Sequence, residues 1–218
     1  MMTEIDGLVD QHRAELERTF ARKHKELIAA TEVFKQTLKV CRSRGWDTHA
    51  QLWNIGIYMN IAAHDLSILV MQLHFDRETW TRRQIARHVV LTIHEITEDM
   101  TQLLGKRIRE PLETLGLLSK FDADLRRVRQ PLDRFWKKHQ AKLSVVRCMS
   151  AAHRDLDGLN LLESIESINM LEIAELGMEV GRILNEIGKV VQSLVEAGAT
   201  VMPPEMKATN NAMGRRDS

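Results

Sequence analysis

Cysteine, proline, glycine and aromatic residues are all scarce in this chain, and each shortage excludes something. The two cysteines, Cys41 and Cys148, lie far apart with no C-x-x-C between them, so they make neither a zinc signature nor a disulfide framework. Four prolines and 11 glycines in 218 residues leave few places to turn, so the elements must be long. Aromatics are only 5% of the chain, and no stretch alternates apolar with polar residues as a half-buried strand does. Net charge is scarce too: +1 overall offers no global argument for a nucleic-acid partner. There is no G-x-x-x-x-G-K-[ST], no G-x-G-x-x-G and no H-E-x-x-H, so nothing supports a P-loop, a dinucleotide enzyme or a zincin. The start, M-M-T-E-I-D-G, has neither the basic nor the apolar region of a secretory signal. A reducing, cytoplasmic setting is the expectation, with no membrane partner.

What fills the space is Leu, Met, Ile, Glu, Lys and Arg, a palette that favours helix. From about Thr3 to Arg42, Leu8, Leu16, Phe20, Leu27, Phe34 and Leu38 recur at helical steps among many charges, which predicts a long outer helix. Gly45 suits a helix C-terminus, and Asp47 or Thr48 the next N-cap. From His49 to Phe75 there is no lysine or arginine. That run is apolar on nearly every side and predicts a central helix; Asn54, Asn60, His64 and Asp65 argue against a membrane span. Thr79 or Thr81 is the expected cap of a helix from Arg82 to about Gly116, which Pro111 should kink or end near Glu110. The next helix is expected from about Lys120 to Ala152, with Pro131 marking a kink or a first turn. Asp155-Leu156-Asp157-Gly158 reads as a turn and Leu159 to Ser167 as a short helix. Asn169 and Glu172 fit a capping box ahead of a last helix that Gly198 should close. The expected architecture is all-α: residues 1–200 form one domain, an antiparallel bundle of about five long helices. Residues 201–218 read as a disordered tail.

Charge is split between the last two long segments. Ser119 to Arg154 holds ten Lys/Arg and three acids, a surplus of seven positive charges; Asp155 to Glu196 holds nine acids and two bases, a surplus of seven negative charges. One reading is mutual neutralisation between neighbouring helices. The other is a basic face for phosphates that the overall charge hides.

The stretch V-V-R-C-M-S-A-A-H-R-D, from Val145 to Asp155, sits where the basic segment gives way to the acidic one. Arg147 and His153 are six residues apart, so on an ideal helix their side chains would be about 120° apart and about 9 Å apart along the axis. They converge only if the helix ends near His153 or a partner chain supplies the other half. A histidine in a last helical turn feels the negative end of the dipole and can trade a proton near neutral pH. An arginine nearby can hold a phosphate oxygen and stabilise transition-state charge. The competing reading is structural: His153 caps helix carbonyls, and Arg147 pairs with an acid such as Glu163.

The run R-C-M-S-A-A-H-R-D, after a basic helix with F-W-K-K-H, resembles the signature of the HEPN (higher eukaryote and prokaryote nucleotide-binding) superfamily. That signature is an arginine, four to six residues, then a histidine near the end of a helix in an all-α bundle. The A-A-H-R-D ending resembles that of a group of bacterial HEPN-like proteins. The resemblance implies a homodimer with the two motifs facing each other. It implies a metal-independent endoribonuclease of a toxin–antitoxin or phage-defence system, cleaving RNA by 2′-hydroxyl attack and needing no cofactor. Arg147 would bind the scissile phosphate and His153 would be the general base or acid, with Arg154 and Asp155 as supporting groups. The partners implied are RNA and an antitoxin or other protein. Family members that have lost activity bind RNA or nucleotides, so the alternative is a non-catalytic helical module that binds RNA or a protein partner. One position departs from the pattern: the residue after the arginine is often Asn or Asp, and here it is Cys148.

Other candidates are weaker. His49, His64, Asp65 and Asp99 can be forced into an H…HD…D phosphohydrolase scheme, but His-acid dipeptides arise by chance at this composition, and His94-Glu95 is another. A di-iron site needs E-x-x-H pairs on two helices, and there are none. Trp46, Trp53, Trp80 and Trp136 and the 11 methionines read as packing residues.

Overall fold

The structure, a computed structural model, describes residues 4–147 and 158–201. They are all-helical. Five long helices, α1 (Glu4–Ser43), α2 (Asp47–Phe75), α3 (Thr79–Gln102), α5 (Leu118–Arg147) and α7 (Met170–Thr200), are joined by two short ones, α4 (Ile108–Thr114) and α6 (Gly158–Glu166). No described helix is long and apolar enough to cross a membrane.

The helix apolar all round is the central one. α2 packs against α1, α3, α4 and α7, while α5 closes the far side against α3 and α7. α1 lies almost wholly on α2 and barely touches α7. The expected stripe of α7 is buried throughout: Ile173, Leu176, Val180, Ile183, Ile187, Val190 and Leu194 all face the core. So do Leu125, Val128, Leu132, Phe135, Leu143 and Val146 of α5. The stripe of α1 is different. Leu38 is buried, but Leu16, Phe20, Leu27 and Phe34 are only half-covered.

The stop expected at Gly45 is made by a left-handed residue, and Gly116 makes a second one. Gly45 and Gly116 each have φ of 68°, where a Cβ would be strained. Behind Gly45, Trp46 N–H donates to the Cys41 carbonyl at 2.9 Å. Behind Gly116, Leu117 N–H donates to the Leu112 carbonyl at 2.8 Å. Each closes the six-residue loop of a Schellman motif.

The caps depart from expectation in four places. Trp46, not Asp47 or Thr48, occupies the N-cap of α2, and Asp47 falls in the first turn, where its charge meets the positive end of the dipole. The cap of α3 is Glu78 rather than a threonine. Its carboxylate folds back to accept from Trp80 N–H at 2.8 Å and Thr81 N–H at 2.5 Å, two donors a short hydroxyl cannot meet together. Asn169 does cap α7, accepting from Glu172 N–H at 3.1 Å. The Glu172 carboxylate does not complete a capping box, because it is taken by Lys142 of α5. Gly198 does not end α7, which runs on to Thr200. Gly198 is there for contact: a Cβ on it would lie 3.2 Å from Leu52.

Pro111 acts upstream of itself. The chain stays helical through it to Thr114, and the irregularity is a π-helical turn, Leu103–Arg107, with Gly105 non-helical at φ −81°, ψ −118°. A helical proline clashes with the carbonyl four residues back. That carbonyl belongs to Arg107, the last residue of the widened turn. α5 passes through Pro131 without a break, so Pro131 marks no first turn. The end expected for α5 at Ala152, the turn Asp155–Asp157 and the tail beyond Val201 lie outside the described residues.

Two glycines in the middle of long helices have opposite jobs. A Cβ on Gly177 would lie 2.5 Å from Val70 and 3.4 Å from Val89, whereas a Cβ on Gly188 would meet nothing within 4 Å. Gly177→Ala should therefore destabilise the fold by about 1–3 kcal/mol through overpacking. Gly188→Ala should stabilise it by about 0.5–1 kcal/mol, because alanine loses less backbone entropy in a helix. Urea unfolding of the two variants beside the parent checks both signs.

Candidate functional site

Arg147 is the last described residue of α5, and it is exposed. It has no hydrogen-bond or ion-pair partner among the described residues, so the pairing with Glu163 is not made. Cys148, His153, Arg154 and Asp155 lie outside the described residues.

The helix that faces Arg147 is α3. Two contacts set how α3 and α5 run. The His94 and Trp136 rings meet edge-on with centroids 5.0 Å apart, and a Cβ on Gly105 would lie 3.8 Å from a guanidinium nitrogen of Arg129. Moving from His94 in α3 to Gly105 in the π-helical turn that follows it therefore means moving from Trp136 back to Arg129 along α5, so the two helices run in opposite directions. The same register carries the start of α3 toward the Leu143–Arg147 end of α5. On that part of α3, Arg83, Arg87 and His94 fall within about 40° of one another around the helix. On α5, Trp136, Leu143 and Arg147 share a stripe of the same width.

The polar groups along this seam are under-satisfied. The side-chain Nε atoms of Arg83 and Arg87 are buried without a hydrogen-bond partner. Arg83 has only a loose ion pair, 3.6 Å to Glu166 of α6. Arg87, like Arg147, has no acid partner among the described residues. A buried donor left unmet costs about 1–3 kcal/mol, and a phosphate oxygen is the acceptor that best matches a guanidinium.

His94 is buried and its Nδ1 has no hydrogen-bond partner. The Glu98 carboxylate is 3.9 Å away, too far for a hydrogen bond. Burial pushes the imidazole below its ordinary pKa, and the positive charge of Arg147 pushes the same way; Glu98 and Glu95 oppose them. An imidazole held neutral can accept a proton. The seam thus joins guanidinium groups, whose chemistry suits a phosphate, to a group that can take up a proton.

The three acids of α5 are taken up by three of its own arginines, so its cationic surplus is left standing. Arg126, Arg127 and Arg129 pair with Asp122, Asp124 and Asp133 on their own helix, and Arg109 of α4 shares Asp122. Lys142–Glu172 is the one described bridge from α5 to α7. Arg134, Lys137 and Lys138 are exposed and have no acid partner among the described residues. Arg134 lies about 140° around the helix from Arg147, so these cations form a second basic face, away from the seam.

The residues of the phosphohydrolase scheme go to separate places. His64 Nε2 lies 2.6 Å from His24 Nδ1 of α1, Asp99 accepts from the Tyr58 hydroxyl, and His49 lies beside the Trp46 ring. Among the described residues no group of three or more His, Cys, Asp or Glu is placed to hold a metal.

Sequence reasoning singled out Arg147 and missed Arg83, Arg87 and His94. Their spacing, i, i+4 and i+11, is one face of a helix and was available. It passed unnoticed because His94 was read with its neighbour Glu95 rather than with residues one and three turns away. Comparisons of the chain with protein-family models, with curated proteins and with solved structures found no match.

Burial holds His49, His94 and His139 below the ordinary imidazole pKa. The unfolded chain, with ordinary values near 6.5, then binds protons more readily than the fold. Stability should therefore decline as the pH falls below about 6.5, and go on declining until the folded imidazoles protonate. Arg147→Gln should raise the pKa of His94, read from the NMR titration of its ring. An unmoved titration would show that Arg147 exerts no field there.

Proposed function

We propose that the protein is a HEPN-like antiparallel helical bundle, cytoplasmic and homodimeric, that cleaves RNA without a metal at the end of the α3–α5 seam where α3 begins and α5 ends, in a toxin–antitoxin or phage-defence setting. The observation that carries this reading is the Arg147 guanidinium, exposed and without an acid partner among the described residues, on the α5 stripe that faces Arg83 and Arg87, whose buried Nε–H groups lack acceptors. An RNA backbone supplies phosphate oxygens as acceptors for such groups.

In this reading Arg147 holds the oxygens of the scissile phosphate. His153 takes the proton of the adjacent 2′-hydroxyl; the 2′-oxygen attacks phosphorus, the bond to the 5′-oxygen breaks, and the leaving oxygen is protonated. The products are a 2′,3′-cyclic phosphate and a 5′-hydroxyl end. Arg154 and Asp155 support the site, and Arg83 and Arg87 hold flanking phosphates. Arg134, Lys137 and Lys138, exposed on the outer face of α5 and without an acid partner among the described residues, favour a second reading: a non-catalytic helical module that binds RNA or a protein partner.

The test is a mixed RNA pool incubated with the protein in EDTA, beside Arg147→Ala and His153→Ala variants of matched thermal stability. The expected outcome is cleavage by the parent, with cyclic-phosphate ends, slowed by about 100-fold or more in each variant. Binding without cleavage by the parent would select the second reading. Equal cleavage by all three proteins would sink the assignment to this site. Under the first reading, Arg87→Ala with Arg147→Ala should flatten the salt dependence of single-strand binding by about 1.4 in log–log slope.

A further inference from the structure

A second site lies on the opposite side of α2, and its residues play no part in the seam. Because α1 rides on α2 and hardly touches α7, a groove of about 970 Å³ opens between α1 and α7 with α2 as its floor. That is the size of a small-molecule pocket. At one end its lining is apolar, with Phe34, Trp53, Met59 and Val195. Gly56 lets the Phe34 ring sit down on α2, since a Cβ there would lie 2.9 Å from it, and Phe34 stacks against Trp53 with centroids 5.6 Å apart.

At the other end the lining is cationic. Arg22 is paired with Glu26 and Lys189 with Glu186, both on their own helices, while Glu196, next to Val195 at the apolar end, accepts from Gln192. Lys23 and Arg182 remain, one from each wall, and neither has a hydrogen-bond or ion-pair partner among the described residues. Lys23 reaches across to α7, where its Nζ lies 3.7 Å from the position of a Cβ on Gly181. Burial lowers its pKa, with Glu26 opposing, as expected of an ammonium partly withdrawn from water without a counter-ion. Between the two ends, Asn60 lines the groove from α2, and its Nδ2 is buried without an acceptor.

We propose that this groove binds a free single-chain carboxylate of the fatty-acid type. The carboxylate would lie between Lys23, Arg182 and Asn60, and the tail would run along α2 toward Phe34 and Trp53. The lining holds Arg22, Lys23, Arg182 and Lys189 against Glu26, Glu186 and Glu196, a surplus of one positive charge, which a monoanion neutralises. From Lys23 to Phe34 the wall is 11 residues of α1, about 16 Å, which accommodates an extended chain of roughly a dozen carbons. A smaller recess of 540 Å³ continues in the other direction from Thr19, but Glu15 and Glu175 line it and oppose an anionic head there.

Isothermal titration with sodium dodecanoate, kept below its micellar range, tests the proposal on the full chain. Saturable binding with one site per chain is expected. Lys23→Met with Arg182→Met should weaken it by about ten-fold or more, since each removes a charge-assisted hydrogen bond. Lys23→Arg should largely keep it. Ala30→Trp, which fills the groove from α1, should abolish it, with circular dichroism to show that the helices remain. Dodecyltrimethylammonium and dodecanol should bind far more weakly than dodecanoate. The idea fails if dodecanoate does not saturate, if the cationic or neutral amphiphile binds as well, or if the double methionine variant binds like the parent. Dodecyl phosphate binding more tightly than dodecanoate would overturn the assignment to a carboxylate. Sedimentation showing a dimer that Ala30→Trp dissociates, without dodecanoate binding, would make the groove a seam between two copies instead.

Discussion

A helix that is apolar on nearly every side has to be covered on nearly every side, and the arrangement of the other helices follows from covering α2. Covering it closely requires the backbones to approach, and small residues permit that. Gly56 admits Phe34 from α1, Gly177 admits Val70 from α2 itself toward α7, and Gly198 admits Leu52. With α7 drawn down on one side and α1 on another, these two helices share α2 as a floor and leave space between themselves. The α1–α7 groove is thus a consequence of how α2 is packed, and the half-covered stripe of α1 is its visible edge.

The start of α1 is secured separately. Arg82, 1% exposed, donates to Asp6 at 2.7 Å and to the His74 carbonyl at 3.3 Å, while Arg77 donates to Asp6 at 3.0 Å. A buried guanidinium needs such partners, because removing one leaves a charge in a poorly solvating interior. The network joins α1 to the α2–α3 junction, so α1 is held on α2 although it makes little contact elsewhere. The same junction starts α3, whose far face carries Arg83 and Arg87 along the seam with α5. Both candidate sites are therefore set by the same few turns of chain.

The two sites differ in how far they could be read beforehand. Arg147 stood out because it opens a short motif. His94, Arg83 and Arg87 did not, because three residues spread over three turns of helix make no local pattern, and their unmet nitrogens exist only once α5 is laid against α3. Lys23 and Arg182 are 159 positions apart. No periodicity in either helix links them, and which of the neighbouring cations would be neutralised on its own helix was not visible from composition. The charge split was legible as a sum, yet which cations stay unpaired was not: Asp122, Asp124 and Asp133 take up only Arg126, Arg127 and Arg129 of α5, and a single described bridge crosses to α7.

The all-helical class, the central place of α2, the five long helices and the stop at Gly45 were determined by the sequence alone, because hydrophobic periodicity and left-handed backbone are local properties. Helix N-caps depart from expectation where a longer carboxylate caps in place of a hydroxyl, as Glu78 does, or where the N-cap position falls on a residue whose side chain caps nothing, as at Trp46. The role of Gly198 as a contact rather than a stop, the diversion of Glu172 to Lys142, and the displacement of the Pro111 irregularity to Gly105 were decided by tertiary structure. In each case the deciding partner is on another helix or another turn. Which polar atoms are left unmet is likewise a property of packing, since an atom lacks a partner only when its neighbours have excluded water and offered nothing in return.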